Sequence, residues 1–93
     1  MDSKGKVALV TGGGTGIGRA AALALQADGW NVAVTGRRKE ELDKTCGLAT
    51  AGGGKLVGIV ADVTDPASVK ALFAKIKDTF GRLDFLFNNA GMG

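Results

Sequence analysis

The run Thr11, Gly12, Gly13, Gly14, Thr15, Gly16, Ile17, Gly18 puts five glycines into eight residues. It lies between the β-branched segment Lys6 to Thr11 and an alanine- and leucine-rich stretch that continues to Asp28. A short apolar run closed by glycines reads as a fully buried strand. The stretch after the turn reads as a helix that stops at Gly29, a residue suited to a left-handed C-terminal cap. A turn between a buried strand and a helix N-terminus exposes backbone N–H groups at the positive end of the helix dipole, which suits an anion such as a pyrophosphate. Gly12 suits the tight turn, Gly16 a close approach of phosphate, and Gly18 close packing of helix on strand.

The spacing excludes two generic phosphate loops. A dinucleotide pattern G-x-G-x-x-G fails because Ile17 or Arg19 occupies the last glycine position, depending on the start. A mononucleotide P-loop from Gly13 to Gly18 would need lysine and a hydroxyl residue next, and Arg19 and Ala20 stand there.

Downstream, Asn31 to Thr35 reads as a second strand. Lys39 to about Thr50 reads as a helix, with Leu42, Cys46 and Ala49 on one face, ended by Gly52, Gly53 and Gly54. Leu56 to Ala61 reads as a third strand, bounded by the turn-forming region Asp62 to Asp65. Asp65 followed by Pro66 marks a helix start. Val69, Leu72, Phe73, Ile76 and Phe80 then form an apolar stripe that closes at Gly81, so Phe73 and Phe80 are expected in the core. Trp30 is expected to pack at a helix-to-strand corner. Leu83 to Phe87 reads as a fourth strand, leading into Asn88, Asn89, Ala90 and Gly91. Strands alternating with helices call for a parallel sheet covered on both faces. The chain stops two residues after Gly91, where a helix would be expected to return, and so reads as cut off.

Composition narrows the function classes. A lone Cys46 and no histidine leave neither an internal disulfide nor the usual zinc ligands, and point to a reducing, cytoplasmic setting. The polar N-terminus and the short run Val7 to Val10 predict no membrane partner. Twelve basic and nine acidic residues give a net charge of +3. The one basic cluster, Arg37, Arg38 and Lys39, precedes Glu40 and Glu41 and has no interleaved aromatics, so no nucleic-acid partner is expected.

The spacing that does fit is threonine, glycine, three residues, Gly16, Ile17, Gly18. With Asn88-Asn89-Ala90-Gly91 after the fourth strand, the chain resembles the short-chain dehydrogenase/reductase family, whose signatures are TGxxxGIG and NNAG. Asp62-Val63 after the third strand and Phe80-Gly81-Arg82-Leu83-Asp84 before the fourth also look like that family. The resemblance covers the whole chain. It implies an α/β fold, a Rossmann-like doubly wound parallel sheet, here truncated after the fourth strand as the N-terminal cofactor half of a longer reductase. It also implies that Gly12, Thr15, Gly16, Ile17 and Gly18 bind the pyrophosphate and adjoining ribose, that Asp62 and Val63 meet the adenine, and that Asn89, Ala90 and Gly91 line the cofactor cleft. Asn88 and Asn89 read equally as a structural hydrogen-bonding turn. Asp62, as a lone carboxylate at a strand end, reads as a hydrogen-bonding anchor rather than a catalytic group, and Cys46 as a core residue.

Cofactor choice is expected to be set after the second strand, where a carboxylate would bond the ribose hydroxyls of NAD and repel a 2'-phosphate. Gly36 stands in that place, followed by Arg37 and Arg38, whose guanidinium groups suit a phosphate. NADP is therefore expected over NAD, with Arg37 the leading contact. The same pair also reads as an exposed basic pair balanced by Glu40 and Glu41. Many relatives that prefer NADP carry a second basic residue just before Gly16, where this chain has Thr15.

Family members oxidise an alcohol or reduce a carbonyl with a tyrosine, a lysine four residues on and a serine. This chain has no tyrosine, and its only serines are Ser3 and Ser68. The parent reads as an oxidoreductase acting on a small carbonyl or alcohol, a homo-oligomer (tetramer or dimer), while these 93 residues alone are expected to be inactive. A non-catalytic dinucleotide-binding or sensing module is the alternative.

Overall fold

The computed structural model describes residues 5–14 and 16–89. Seven elements follow one another: β1 (Val7–Thr11), α1 (Gly16–Ala27), β2 (Asn31–Gly36), α2 (Lys39–Gly47), β3 (Leu56–Val60), α3 (Pro66–Phe80) and β4 (Phe85–Asn88). The strands form one parallel sheet in the order β3-β2-β1-β4. The first strand is therefore central, and all five of its residues are buried.

Successive strand residues face opposite sides of a sheet, and here each side receives its own helices. Ala8, Val10, Val32 and Val34 pack with Ala22 of α1 and Leu42 of α2. Val7, Leu9 and Ala33 pack on the other face with Leu72 and Ile76 of α3 and with Ala61. β1 and β2 are thus apolar on both faces, as a sheet sandwiched between helix layers requires.

The boundaries differ from the sequence expectation where side chains claim the backbone. α2 stops at Gly47 rather than near Thr50, because buried Gln26 takes over the next turns. Its side-chain carbonyl accepts from Thr50 N–H at 2.8 Å, and its amide donates to the Thr50 and Gly54 carbonyls at 2.9 and 2.8 Å. β4 begins at Phe85 rather than Leu83, because Asp84 clamps the entry to the strand. The Asp84 N–H donates to Val7 O at 2.8 Å, and the Asp84 carboxylate accepts from Val7 N–H at 2.8 Å and from Arg82 at 2.8 and 2.7 Å.

α3 starts and stops as the sequence predicts. Asp65 accepts from Ala67 N–H at 3.1 Å, and Gly81 closes the helix at φ 79°. Its stripe is narrower than expected: Leu72 and Ile76 are buried, Phe80 packs half-buried against them, and Phe73 is 40% exposed. The expectation of a core Phe73 is corrected because α3 lies over β1, β2 and β3. Phe73 overhangs the β4 side of that face, beside Leu86, which is 45% exposed. Trp30 does sit at a corner, between α1 and β2, edge-on to Phe85 at 6.1 Å with Lys6 Nζ 5.9 Å from its ring centroid. Among the described residues no helix is long and apolar enough to cross a membrane.

The Arg82 ion pair, aided by the Val7 N–H, holds the Asp84 carboxyl below the ordinary aspartate value of 3.8. A depressed folded-state pKa gives stability that is complete above the unfolded value and is lost as pH falls through the folded one. Thermal melts should therefore show an acid loss of stability below about pH 3.8, and Asp84→Ala should lower the neutral-pH melting temperature while making that acid loss shallower.

Candidate functional site

β1 ends in the glycine turn, and the reason only glycine fits there is visible atom by atom. Gly12 turns the chain at φ +66°, and Gly16 opens α1 at φ +57° with open space where a Cβ would project. A Cβ on Gly18 would overlap the Gly12 carbonyl oxygen and lie 2.7 Å from its carbon. The helix thus presses directly on the strand's end, which brings the first N–H groups of α1, unpaired within the helix by its geometry, up to the carboxyl end of the central strand. Gly13 is close-packed as well: its N–H donates to Thr35 O at 3.1 Å, and a Cβ there would meet Val34 at 2.6 Å.

The strand ends beyond this turn enclose a two-part cleft. One part, about 260 Å³, is lined by Gly12, Thr35, Gly36, Arg37, Ala61, Asp62, Val63 and Thr64. The other, about 240 Å³, shares Gly12, Gly36 and Arg37 with it and adds Gly14, Arg38, Glu41 and Leu42. Five of the residues singled out from sequence, Gly12, Arg37, Arg38, Asp62 and Val63, thus come together from three separate strand ends. Asn89, at the end of β4, places its side-chain nitrogen where a Cβ on Gly12 or Gly18 would come within 3.2 Å. Ile17 lines neither part and is 70% exposed on the first turn of α1. Thr15, Ala90 and Gly91 lie outside the described residues.

Hydrogen bonding assigns several of these residues structural work. Thr11 Oγ1 donates to Asn88 Oδ1 at 2.9 Å and accepts from Asn89 N–H at 2.8 Å, so the asparagine pair is tied to the end of β1. Asp62 Oδ1 accepts from Thr64 Oγ1 at 2.6 Å and Thr64 N–H at 2.9 Å, while Asp62 N–H donates to Ser68 Oγ at 2.9 Å. The Thr64 bonds, with the nearby Arg37 charge, hold the Asp62 carboxyl below the ordinary aspartate range. A carboxylate held ionised in this way is an anchor and acceptor, not a proton donor at neutral pH. Burial, with Asp43 nearby, pushes the Cys46 thiol up, in keeping with a packing role.

The reading in which Glu40 and Glu41 balance the two arginines does not match the observed pairs. Glu41 bonds Arg19 at 3.2 Å and Lys44 at 3.4 Å, and Lys39 bonds Asp43 at 2.8 Å. Among the described residues Arg37 and Arg38 form no ion pair, and both are exposed beside the cleft. Two residues the sequence reading did not mark as part of the site, Arg19 and Thr45, brace the turn from behind. Arg19 Nη2 donates to the Gly14 carbonyl, Arg19 Nε to Thr45 Oγ1 at 2.9 Å, and buried Thr45 donates to Gly13 O at 2.9 Å. The available signal was a hydroxyl at Thr45 on the apolar stripe of α2, three residues after Leu42. Among the described residues no group of three metal-ligating side chains occurs.

A parallel sheet with helices on both faces and a glycine-turned cleft beyond its strand ends is a Rossmann-like architecture. The chain belongs to the short chain dehydrogenase family, whose model matches residues 6–93. It is 42% identical over 89 residues to levodione reductase of Leifsonia aquatica, covering 94% of this chain and 33% of that protein. It is 41% identical over 93 residues to the short-chain dehydrogenase/reductase homolog YusS of Bacillus subtilis (strain 168), covering 99% of this chain and 85% of that one. Among solved structures, NAD+-bound xylitol dehydrogenase superposes with a TM-score of 0.91 at 38% identity, over 98% of this chain and 35% of that one. A metagenomic short-chain oxidoreductase in complex with NADP gives a TM-score of 0.90 at 36% identity, over 97% and 41%. The chain thus spans about a third of the length of levodione reductase and of xylitol dehydrogenase.

Gly18→Ala should prevent the turn from closing and abolish cooperative unfolding by circular dichroism. Gly16→Ala meets no steric obstacle and should fold, with a loss of about 1–2 kcal/mol for the left-handed backbone.

Proposed function

We propose that this chain is the cofactor-holding part of an oxidoreductase that transfers hydride between NADP and a small carbonyl or alcohol substrate. The observation that carries the reading is the pair Arg37 and Arg38, which form no salt bridge among the described residues, at a cleft whose strand end offers Gly36 in place of a carboxylate. NADP and NAD+ are named for two solved relatives respectively, so the preference rests on this chain's own residues.

The residues fit the group on steric and chemical grounds. The open space at Gly16 admits a phosphate against the N-terminus of α1, where the helix dipole and N–H groups favour an anion. Ile17 and Gly18 belong to that first turn, Thr15 precedes it, and Asp62 and Val63 wall the neighbouring part of the cleft, the place proposed for adenine. Asn89, Ala90 and Gly91 are assigned to the cleft wall at the end of β4. When bound, the nicotinamide supplies or accepts the hydride. What these residues do is hold and orient the cofactor.

Proton transfer requires a group within hydrogen-bond reach of the substrate oxygen. The chain has no tyrosine, and Ser68 is held in the first turn of α3, where its Oγ accepts from the Asp62 N–H. Substrate recognition, the proton donor and a homo-oligomeric assembly are accordingly assigned to the whole reductase.

Fluorescence titration should give tighter binding of NADPH than of NADH, and Arg37→Asp should reverse or erase that preference by about tenfold or more. An unchanged preference in Arg37→Asp would rule out the assignment. With NADPH and a carbonyl substrate, the 93 residues alone should show no absorbance change from cofactor oxidation, whereas steady turnover by the isolated chain would contradict the placing of the proton donor elsewhere.

A further inference from the structure

We propose that Arg19, Thr45 and Glu41 are positioning residues for cofactor selectivity: a latch that aims the Gly14 N–H into the arginine side of the cleft, where it joins Arg37 and Arg38 as a donor to the 2'-phosphate. The inference rests on the NADP reading above and extends it to residues with no assigned part in binding.

The geometry is a relay of donors running from α1 through α2 to the turn. Arg19 Nε donates to Thr45 Oγ1 at 2.9 Å, and Thr45, fully buried, donates its single proton to Gly13 O at 2.9 Å. The Glu41 and Gly14 carbonyls lie farther from the same hydroxyl, at 3.2 and 3.5 Å. Arg19 Nη2 serves the Gly14 carbonyl and also Glu41 Oε2 at 3.2 Å, so the guanidinium fork is held from the carboxylate side too. Lys44 on Glu41 Oε1 at 3.4 Å secures the other oxygen.

Two consecutive turn carbonyls are therefore pulled inward. In a planar trans peptide the C=O and the following N–H point in opposite directions. With Gly13 O fixed on Thr45, the N–H of Gly14 must point away from the seam between α1 and α2. Gly14 lines the part of the cleft that holds Arg37 and Arg38.

The latch also spans the two places that decide selectivity. Glu41 and Thr45 lie on α2, which starts at Lys39 immediately after Arg37 and Arg38, and Arg19 lies on α1 immediately after the glycine turn. Bonding one to the other sets the distance between the arginines and the turn.

The test compares the whole 93-residue chain with Thr45→Val, Thr45→Ser and Arg19→Lys, titrating NADPH, NADH, 2'-AMP and 5'-AMP. Valine keeps the shape of threonine and removes the relay, serine keeps the relay, and lysine keeps the charge without the fork. Thr45→Val and Arg19→Lys should each lower the NADPH-over-NADH preference on the order of tenfold, the scale of one hydrogen bond to a charged group. Both should lower 2'-AMP affinity in parallel and leave 5'-AMP affinity unchanged, while Thr45→Ser should restore the wild-type ratio. A purely structural role would weaken all four ligands together and so overturn the proposal. If Thr45→Val does not fold, Arg19→Lys decides by the same ratio. A wild-type preference for NADPH that survives in the variants overturns the latch alone, whereas a wild-type chain without that preference overturns the cofactor reading and the latch with it.

Discussion

The contact between Gly18 and the Gly12 carbonyl governs the rest of the molecule. It leaves no room for a single methyl group, so α1 lies directly against the end of β1. That closeness puts the N-terminus of α1 at the carboxyl end of β1 and orients the helix over Ala8 and Val10 of β1, through Ala22. Because β1 is the central strand, the placement of α1 in turn fixes where β2 and β4 can present their ends.

A second constraint is polar. The carbonyls that the glycine turn exposes on its inner side would be costly if buried without donors, and Arg19 and Thr45 satisfy them. Gln26 does the same at the opposite end of α1, bonding three backbone groups of the α2–β3 connection. Among the described residues no buried side-chain nitrogen or oxygen is left without a partner. These bonds are specific in direction, whereas the apolar contacts around Leu9 and Val10 are not, so they decide the exact path of the loops that line the cleft.

The order of elements and the gathering of Gly12, Arg37, Asp62 and Val63 at strand ends were legible in the sequence, because the glycine spacing, the β-branched runs and the Asp65-Pro66 start are local signals. What escaped depended on partners distant in sequence. Arg19 read only as a departure from the P-loop lysine, and its bonds to Thr45 and Glu41 cross 26 and 22 residues. The end of α2 depended on Gln26, which is 24 residues away from Thr50. Phe73 followed the helical period faithfully, yet its burial depends on which strands α3 covers, and periodicity carries no such information. The family signature supplied the assignment of Asp62, Val63 and Asn89 to the cofactor, where spacing alone stopped at an anion-binding turn.

The clamp between Val7 and Asp84 joins residues 77 positions apart. The strand between β2 and β4 is made first, and β4 is the last of the four described strands, so a growing chain must carry β1 with an open flank until β4 arrives. Closing so long a loop costs conformational entropy before any contact offsets it, and topologies dominated by such distant pairings fold slowly. During that interval β1 presents an unpaired row of backbone N–H and C=O groups along the flank that β4 will take, an edge open to pairing with another chain.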